Sequence, residues 1–514
     1  MKNSIMTYII LFLINSSFSF GGKVSEKWRN TITYEIFVQS FCDSNGDGIG
    51  DIKGMTSKLD YIAGLGAKAI WLMPINPSPS YHKYDVTDYY GIHPDYGTLE
   101  DFREFVAESH KRDIKVIIDL VINHSSRQHP WFQEALKDKN SKYFNYYVWM
   151  NPDDIQKSNF KIEVGPDTDN RRKWNSVDNY PEQYFTHFGG GMPDLNYDNP
   201  ELRDEVFKIG RFWLEDVNVD GFRLDAAKHI YPDYRKEDNY AWWKDFYTEM
   251  KKSKEDVYLV GEVWSDYKSA APYLQGLSTV FNFELSGKIL DALKNEDTKG
   301  LVSAYSRIEE IYKSIDPEYI DATFLTNHDI KRTASVLKNS REKIKLAASL
   351  LLTMPGSPYI YYGEELGLPG EKPDLHIREP FLWDIRDNDK CRTKWMEPKY
   401  NISVDPLTIQ AKDKSSVFNH YLALTAVRNA NPVLFYGGIM EITTEEDELC
   451  VFLRSNENDA LLVIHNLSDD KSEWIIPSDY SSFKNTIFSS HSEMIQDNGK
   501  IILPPYSTIV LSDR

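Results

Sequence analysis

The feature that most constrains the fold of this chain is an alternation of short β-branched or aromatic runs with amphipathic helical stretches. Such alternation is typical of βα units that surround a parallel sheet. One helical pattern covers 99–112, and Thr98 and Asp101 can open it with a capping box. Eight runs predict an α/β fold of the (β/α)₈ TIM barrel type, with strands at 33–38, 69–73, 116–121, 221–224, 257–261, 280–283, 322–325 and 359–362.

Two stretches interrupt the alternation and predict additional units. Residues 125–192 are too long for a loop between a strand and a helix, and their Asp, Asn, Tyr and Gly content suggests a small irregular subdomain inserted after the third strand. From residue 437 onward, alternating apolar runs without a helical period predict an appended antiparallel β-sandwich. The predicted organisation is a barrel over 22–124 and 193–436, an insert over 125–192 and a C-terminal sandwich over 437–514.

The N-terminus has the pattern of a removable secretion signal. Met1 and Lys2 precede an apolar stretch at 5–14 and a small polar run at 16–19, so that 1–21 is the predicted signal peptide. The apolar stretch is too short to span a bilayer comfortably, and no other stretch approaches the length of a membrane span. We therefore expect a secreted protein, extracellular or periplasmic, without a membrane segment after cleavage.

The charge balance excludes one large class of partners. The formal net charge is −19 and the sequence pI is about 5.2, so the protein repels phosphate backbones and anionic lipid surfaces. We therefore expect no nucleic-acid partner, and we expect a monomer. The 12 Trp, 32 Tyr and 25 Phe residues supply flat rings that suit sugar faces, although most rings in any protein serve core packing.

Cysteine usage argues against a disulfide framework. Cys42, Cys391 and Cys450 are odd in number and widely spaced, so at most one bridge can form. We expect stability to come from the core and from a bound cation.

Titratable side chains follow four of the predicted strands, at the end of a barrel where reactive groups lie. Asp225, Glu262 and Asp329 follow the fourth, fifth and seventh strands, and His124 follows the third. Taken singly, a strand-end Asp is more often a helix N-cap, and a lone His is usually a core polar group. Together, three carboxylates from three strands supply what glycoside hydrolysis needs, namely one ionised carboxyl to attack C1 and one protonated carboxyl to release the leaving oxygen.

The neighbours of these carboxylates assign their roles. Arg223 lies two residues before Asp225, so both side chains point to one face and the Arg charge keeps Asp225 ionised as the nucleophile. Glu262 precedes the apolar pair Val263 and Trp264. Desolvation there raises the pKa of the Glu262 carboxyl enough to keep it protonated, as a general acid and base requires. Asp329 fits a third role, gripping ring hydroxyls as the sugar distorts toward an oxocarbenium-like transition state; the neutral donors that help it are His124 and His328.

A glycine-rich loop directly after the first strand carries oxygen side chains at alternating positions. Its carboxylate, amide and backbone carbonyl oxygens suit Ca²⁺, and the predicted ligands are Asp43, Asn45, Asp47, Ile49 through its carbonyl, and Asp51. The loop is not an EF-hand, because Gly54 takes the place of the last Glu and a strand precedes the loop. A solvated acidic turn is the alternative.

The strand-end segments resemble the four signature regions of the α-amylase family, glycoside hydrolase family 13. The resemblance runs nearly end to end, and chance agreement of so many ordered motifs is negligible. The signature regions are DLVINH at 119–124, GFRLDAAKH at 221–229, GEVW at 261–264 and FLTNHD at 324–329, and further matching motifs are YDVTDY at 84–89, MPDLN at 192–196 and GSPYIYYGEE at 356–365.

The resemblance implies a role for individual residues. It implies Asp225 as nucleophile, Glu262 as general acid and base, and Asp329 as transition-state stabiliser. It also implies retention of the α-anomer through a covalent β-glucosyl intermediate, in a −1 subsite lined by Tyr84, His124, Arg223 and His328. A second calcium between barrel and insert is typical of many α-amylases and would use Asn123, Asp194 and the carbonyl of His229.

Local residues favour an α-amylase within the family. Ala226 follows the nucleophile where oligo-1,6-glucosidases usually carry a bulkier Val, and Lys228 and His229 resemble a pair near the +2 subsite. Tyr81 occupies the position of an Asp that closes the pocket in exo-acting glucosidases. These positions imply an open cleft and endo-acting hydrolysis of α-1,4 bonds in starch, glycogen and maltooligosaccharides.

Two alternatives remain at this point. The calcium loop, the short C-terminal unit and the motif at Met192 also fit an α-glucosidase or oligo-1,6-glucosidase that acts on short oligosaccharides. A non-catalytic scaffold with the same barrel is the more remote alternative, and the presence of all three carboxylates argues against it.

Overall fold

The computed structural model describes residues 26–158, 173–298, 300–386, 388–497 and 499–514. The predicted signal peptide at 1–21 and part of the predicted insert, 159–172, lie outside the described residues. Within the described ranges, no helix is long and apolar enough to cross a membrane.

Parallel strands form the centre of the molecule. They pair in register from Thr33 with Ala69 onward, and every residue of most of them is buried, as expected for a parallel sheet covered on both faces. In spatial order, the hydrogen-bonded strands of the described chain are Tyr359–Tyr361, Thr33–Ile36, Ala69–Leu72, Lys115–Leu120, Gly221–Leu224, Tyr258–Gly261 and Thr279–Val280.

The predicted seventh strand closes the sheet through isolated bridges. Phe281 bridges Ala322, and Phe324 bridges Tyr359, both in the parallel sense. The amide of Tyr359 also donates to the carbonyl oxygen of Thr323 at 2.7 Å. The chain therefore forms a closed (β/α)₈ barrel, and the predicted fold class is confirmed.

Helices cover the outside of the barrel. The helix Leu99–His110 begins with the predicted capping box between Thr98 and Asp101. The other described α-helices of the barrel are Glu26–Arg29, Val38–Phe41, Ile52–Thr56, Leu59–Gly64, Pro200–Arg211 with its π-helical turn Phe212–Asp216, Lys236–Ser253, Tyr267–Ala270, Phe283–Asn295, Leu301–Ile315, Thr333–Val336, Arg341–Thr353, Leu407–Gln410, Val417–Ala430 and Val433–Tyr436. Short 3₁₀ turns occur at Pro94–Tyr96, Ala227–His229, Asp233–Arg235, Ala271–Gln275, Glu364–Leu366, Asp374–His376 and Asn401–Ser403.

Aromatic side chains fill the interior of the barrel. The ring centroids of Trp71 and Phe281 lie 5.3 Å apart, and Phe281 also contacts Phe324 and Tyr359. Because these rings occupy the centre, the barrel is a packed core rather than a pore. A binding site is therefore restricted to the mouth, where the strands end and the loops begin.

The described part of the insert is a small sheet beside short helices. Its strands pair antiparallel and are Trp149–Met150, Tyr180–Phe185 and Trp174–Val177 in spatial order. The helices are Pro130–Lys137, Pro152–Lys157 and the 3₁₀ turn Phe144–Tyr146. An antiparallel bridge between His124 and Asp194 joins the two ends of this region at the mouth of the barrel.

Two antiparallel sheets form the C-terminal part of the chain. The larger consists of Gly438–Glu441, Leu449–Ser455, Ala460–Asn466, Ser507–Ser512 and Asn485–Ser489, and the smaller of Ser472–Ile475, Lys500–Leu503 and Ile495–Asp497, each in spatial order, with a 3₁₀ turn at Ser478–Tyr480. Leu462, Ile464 and Leu511 of the larger sheet share a core with Trp474 and Ile501 of the smaller. This arrangement is the predicted β-sandwich.

A disulfide links two distant parts of the barrel. Cys42 bonds to Cys391, at a sequence separation of 349, and buried Cys450 is a free thiol. The amide of Asp43 donates to the carbonyl oxygen of Cys391 at 2.9 Å beside the bridge. The single bridge that the sequence allows is therefore present, in addition to the expected contributions of core and cation. Its pairing is visible only in the fold, because spacing along the sequence does not report which cysteines the fold brings together.

Candidate active site

One arginine joins the carboxylates that follow the fourth and fifth strands. Arg223 is 1% exposed, and its Nη1 lies 2.7 Å from Asp225 Oδ1 while its Nη2 lies 2.8 Å from Glu262 Oε2. Nη1 also lies 2.9 Å from Asp119 Oδ1. Strand alternation places Arg223 and Asp225 on one face, as their two-residue spacing predicts. A single guanidinium thus holds Asp225 and Glu262 close together at the mouth of the barrel.

The surroundings of Glu262 favour its protonated form. The residue is 8% exposed, and this burial raises its pKa to about 7, against the lowering effect of Arg223 and with the support of Asp225. The backbone N–H of Ala226 donates to Glu262 Oε2 at 3.0 Å. The shift has the direction that the sequence predicts for a general acid.

Asp329 is held by two cationic side chains. Arg378 Nη2 lies 2.7 Å from its Oδ1, and His328 Nε2 lies 3.0 Å from its Oδ2. Burial alone would raise the pKa of Asp329, but His328 and Arg378 together hold it far below its usual range. These contacts favour an ionised Asp329, which can accept hydrogen bonds from the hydroxyl groups of a ligand.

The surroundings of His328 favour a charged ring, whereas the sequence predicts a neutral donor. Its Nδ1 lies 2.6 Å from Glu35 Oε1, and its Nε2 faces Asp329. Burial opposes the charged ring, but Asp329 and Glu35 outweigh burial and raise the pKa of His328 to about 9. These contacts favour the imidazolium form of His328, because the fold brings a second carboxylate from the first strand to the far side of its ring.

Tyr84 and His124 complete the predicted −1 subsite. The hydroxyl of Tyr84 lies 2.5 Å from His328 Nε2 and donates to Asp119 Oδ2 at 3.1 Å. His124 Nε2 lies 3.1 Å from the carbonyl oxygen of Tyr84. Burial lowers the pKa of His124, which favours the neutral ring, and the Nε2–H of that ring donates to the Tyr84 carbonyl. Donation from His124 to a sugar hydroxyl stays a prediction.

A cavity of about 260 Å³ opens in front of these groups. Asp225, Glu262 and Asp329 all line it, together with His82, Tyr84, His124, Phe188, Met192, Trp264, Lys372, Asp374 and Arg378. The ring of Trp264 is fixed by stacking on Phe283, at 4.9 Å between centroids. Carboxylates that converge among aromatic walls form a concave site for a small polar ligand.

Lys228 and His229 lie behind one wall of this cavity. Lys228 Nζ donates to the carbonyl oxygen of Trp264 at 2.8 Å. The ring of His229 stacks on His187 at 3.7 Å and meets the edge of Phe188 at 6.0 Å. Lys228 contacts Trp264 and His229 contacts Phe188, and Trp264 and Phe188 both line the cavity. The two predicted plus-side residues therefore lie directly behind its wall.

Tyr81 supports the cavity from outside. Its ring stacks on Trp395 at 5.5 Å between centroids, and the guanidinium of Arg378 lies 5.7 Å from its centre. Tyr81 thus contacts Arg378, which in turn holds Asp329.

The predicted cation loop is folded by its own side chains. Asp43 accepts backbone N–H groups from Gly46 at 2.6 Å and Gly48 at 2.8 Å, and Asp51 accepts that of Ser44 at 2.7 Å. The side-chain oxygen of Asn45 accepts the backbone N–H of Asp47, and a carboxylate oxygen of Asp47 accepts that of Ile49. Across the described ranges, no three His, Cys, Asp or Glu side chains cluster in a way that could hold a metal ion.

The residues of the second implied calcium site meet at the junction of barrel and insert. Asn123 Nδ2 lies 3.5 Å from Asp194 Oδ2, and Asp194 Oδ1 accepts the backbone N–H of His187 at 2.8 Å. The Oδ1 atom of Asn123 is buried without a hydrogen-bond partner in the described structure.

Three residues without a predicted role each contact a predicted site residue, namely Glu35, Asp119 and Arg378. Of these, only Asp119 belongs to a motif that the sequence singles out, DLVINH at 119–124. An acidic residue within an otherwise apolar strand is the signal that points to Glu35. Arg378 follows an irregular stretch whose sequence carries no periodic signal, so its place near Asp329 is visible only in the fold.

Carboxylates from separate strands, held by one arginine at the mouth of a (β/α)₈ barrel, define the site of a glycoside hydrolase. Residues 35–437 match the family described as alpha amylase, catalytic domain, and residues 449–510 match the alpha-amylase SusG C-terminal domain. The chain belongs to the α-amylase family.

Known proteins resemble this chain over almost its whole length. Alpha-amylase 3 of Dictyoglomus thermophilum is 41% identical over 510 residues, which cover 98% of both chains. A 4-alpha-glucanotransferase of Thermotoga neapolitana is 36% identical, over 85% of this chain and 96% of its own. The crystal structure of an alpha-amylase from H. orenii superposes with a TM-score of 0.83 at 42% identity, over 94% of this chain and 99% of that chain.

Proposed function

We propose that this protein is an endo-acting α-amylase that hydrolyses α-1,4 bonds in starch, glycogen and maltooligosaccharides with retention of the anomeric configuration. The observation that carries the proposal is the contact of Asp225 and Glu262 with a single guanidinium, that of Arg223. Retaining enzymes place their two carboxyl groups about 5 Å apart, whereas inverting enzymes leave room for a water molecule between them. Two carboxylates on one guanidinium fit the first arrangement.

The geometry assigns each step of a double displacement. Asp225 attacks C1 of the −1 sugar while Glu262 gives its proton to the glycosidic oxygen, so the C1–O bond breaks and a glucosyl ester forms on Asp225. Glu262, now ionised, takes a proton from water, whose oxygen attacks C1 and releases Asp225. Two inversions at C1 restore the α configuration. Asp329 accepts hydrogen bonds from the hydroxyl groups of the −1 sugar during both steps.

The surroundings of the cavity support long α-1,4-linked chains. Ala226 leaves room beside the nucleophile, and Lys228 and His229 lie at the wall formed by Trp264 and Phe188. Tyr81 stacks on Trp395 and carries no carboxylate to cap the non-reducing sugar. Sugar units bound beyond the cleavage point align the scissile bond, which favours attack within a chain.

The competing activities are α-glucosidase or oligo-1,6-glucosidase action, and transfer of the glucosyl group to another sugar, as the name of the Thermotoga relative suggests. A product time course on starch, pullulan, isomaltose and maltose separates them. We expect iodine staining of starch to collapse well before reducing sugar has risen far. Release of glucose alone from chain ends, preference for isomaltose, or products longer than the substrate would each contradict the proposal.

We further propose that the loop after the first strand binds Ca²⁺ through Asp43, Asn45, Asp47, the carbonyl of Ile49 and Asp51. Asp43 and Asp51 are 4% and 5% exposed, and their carboxylates accept hydrogen bonds from N–H and O–H groups of the loop and of the helix Ile52–Thr56. A bound cation offsets the cost of burying these charges. Asn123 Oδ1 is buried without a hydrogen-bond partner in the described structure and lies beside Asp194, so a second calcium ion there would satisfy both oxygen ligands.

Chelation tests the calcium proposal. An ion bound only by the native state stabilises it by mass action, by about 2.7 kcal/mol when free Ca²⁺ is roughly 100 times Kd. We expect a chelator to lower the Tm of the wild type and Asp47→Asn to reduce that response, while Asp291→Asn, on the surface of helix Phe283–Asn295, leaves it unchanged. If the chelator leaves the melting curve unchanged and elemental analysis finds no calcium, the calcium proposal is wrong.

Secretion is the last part of the proposal. The pattern at 1–21 supports export, and we expect the mature protein to act as a monomer on extracellular or periplasmic glucan. N-terminal sequencing of the exported protein tests it, since cleavage is expected near residue 21.

A further inference from the structure

Glu35 lies in the first barrel strand, Thr33–Ile36, and the chemistry above does not use it directly. It is 1% exposed, and its Oε1 lies 2.6 Å from His328 Nδ1. An ionised carboxylate buried this deeply is costly unless it has a charged, hydrogen-bonded partner. His328, at 0% exposure, is that partner.

The ring of His328 is held on every side. Its plane stacks on Tyr84 at 5.6 Å between centroids, and its edge meets Trp71 at 5.5 Å. Its Nε2 lies 3.0 Å from Asp329 Oδ2. Each ring nitrogen therefore faces a different carboxylate.

Hydrogen-bond stoichiometry favours the charged form of this ring. A neutral imidazole has one N–H, whereas two ionised carboxylates, Glu35 and Asp329, require a donor at both nitrogens. Tyr84 does not change this count, because its O–H donates to Asp119 Oδ2 at 3.1 Å and its oxygen, 2.5 Å from Nε2, is a further acceptor on that side of the ring. Burial raises the pKa of Glu35 against the lowering effects of His328 and Arg223, so the charge of the ring depends on the one proton between Glu35 Oε1 and Nδ1, 2.6 Å apart.

We propose that Glu35 is a positioning residue that keeps His328 as an imidazolium, so that Asp329 stays ionised and oriented toward the sugar hydroxyls. With Glu35 in place, Asp329 has one cation on each oxygen, Arg378 and His328. Charge-assisted hydrogen bonds of this kind are about twice as strong as neutral ones. The catalytic part of this inference rests on the proposed function, whereas the charge of His328 does not.

The variant Glu35→Gln tests the proposal because it keeps the shape and an acceptor for Nδ1–H but removes the charge. We expect kcat to fall at least ~10-fold, within the ~10⁴-fold that loss of a histidine-orienting carboxylate costs in a catalytic triad. The pKa of His328 should move down from about 9 toward its ordinary value, so that activity of the variant declines above neutral pH more steeply than that of the wild type. KM for a maltooligosaccharide should change less than kcat.

Glu365→Gln is the matched control. Glu365 is also a buried carboxylate beside the first strand, and its Oε1 accepts the hydroxyls of Tyr34 at 2.5 Å and Tyr61 at 2.6 Å without touching the active site. The kcat and the pH profile of Glu365→Gln should equal those of the wild type. Glu35→Asp, which retains the charge, should recover part of the activity lost in Glu35→Gln.

¹⁵N NMR of histidine-labelled protein reads the charge of His328 directly, and it does so whether or not starch is the substrate. At pH 7.5 we expect both ring nitrogens of His328 to carry a proton in the wild type and in Glu365→Gln, and only one in Glu35→Gln. A neutral His328 in the wild type overturns the proposal even if Glu35→Gln fails to fold. A folded Glu35→Gln with an imidazolium and wild-type kcat overturns it as well.

Discussion

At the residue scale, environment shifts the pKa values of two active-site carboxyl groups in opposite directions. Burial raises the pKa of Glu262 to about 7, whereas His328 and Arg378 hold that of Asp329 far below its ordinary value despite burial. These opposite shifts have the directions that the proposed roles need, namely a protonated Glu262 as acid and an ionised Asp329 as acceptor for sugar hydroxyls. The sequence predicts this division for Glu262 from its apolar neighbours, but not the charge of His328, because Glu35 belongs to a strand far away in sequence.

Removal of either reacting carboxylate should abolish most turnover without unfolding the protein. Asp225→Asn deletes the nucleophile and Glu262→Gln deletes the proton donor, so each blocks a distinct step. We expect kcat to fall by roughly 10³-fold or more, with unchanged circular dichroism. A variant that keeps more than about a tenth of wild-type kcat would show that its residue has been assigned wrongly.

The pH profile should report the proton on Glu262. Because the acid must be protonated in the free enzyme, kcat/KM should decline as pH rises through about 7, the raised pKa of Glu262. Initial rates on a soluble maltooligosaccharide between pH 5 and 9 measure this limb. A flat profile up to pH 9 would be inconsistent with Glu262 as the general acid.

Backbone strain beside the nucleophile gives a further prediction. Ala226 has φ 49° and ψ 38°, in the left-handed region, and its N–H reaches Glu262 from there. A residue with a Cβ is strained in this conformation, whereas glycine adopts it freely. Ala226→Gly should therefore leave Tm within a few degrees of wild type, because relief of the strain offsets the greater freedom that glycine gives the unfolded chain. A clearly lower Tm in thermal unfolding of Ala226→Gly would argue against strain at this position.

At the scale of elements, periodic patterns predicted most of the barrel. The fourth strand, Gly221–Leu224, and the capping box of Leu99–His110 occur where the sequence places them. The predicted strand at 322–325 is reduced to isolated bridges, because Phe281 and Tyr359 pair with alternate residues only. Segments without periodicity carried no such signal, and Arg378 and the partner of Cys42 both lie in one of them.

The disulfide should stabilise the segment that follows the last barrel strand. Closing a loop of this length removes conformational freedom from the unfolded chain and is worth about 2–5 kcal/mol. Cys391→Ala should lower Tm and abolish its sensitivity to reductant, whereas Cys450→Ala, which removes a buried free thiol, should keep that sensitivity. If reductant lowers the Tm of Cys391→Ala as much as that of the wild type, the bridge has no such role.

At the scale of the whole molecule, the packed interior of the barrel confines chemistry to its mouth, and the insert supplies one wall of the cavity there through Phe188 and Met192. Family membership and the closed barrel agree with what the ordered motifs of the sequence imply. What the sequence alone leaves open is the mutual distance of the carboxylates, because three strands far apart along the chain set it.

¹H NMR of the products in the first minutes of maltooligosaccharide hydrolysis, before mutarotation, shows whether the reaction retains the anomeric configuration. Since Asp225 and Glu262 share the guanidinium of Arg223, we predict that new reducing ends appear first as the α-anomer and only later as the equilibrium mixture. Initial appearance of the β-anomer would mean direct attack by water, and it would contradict a covalent intermediate on Asp225.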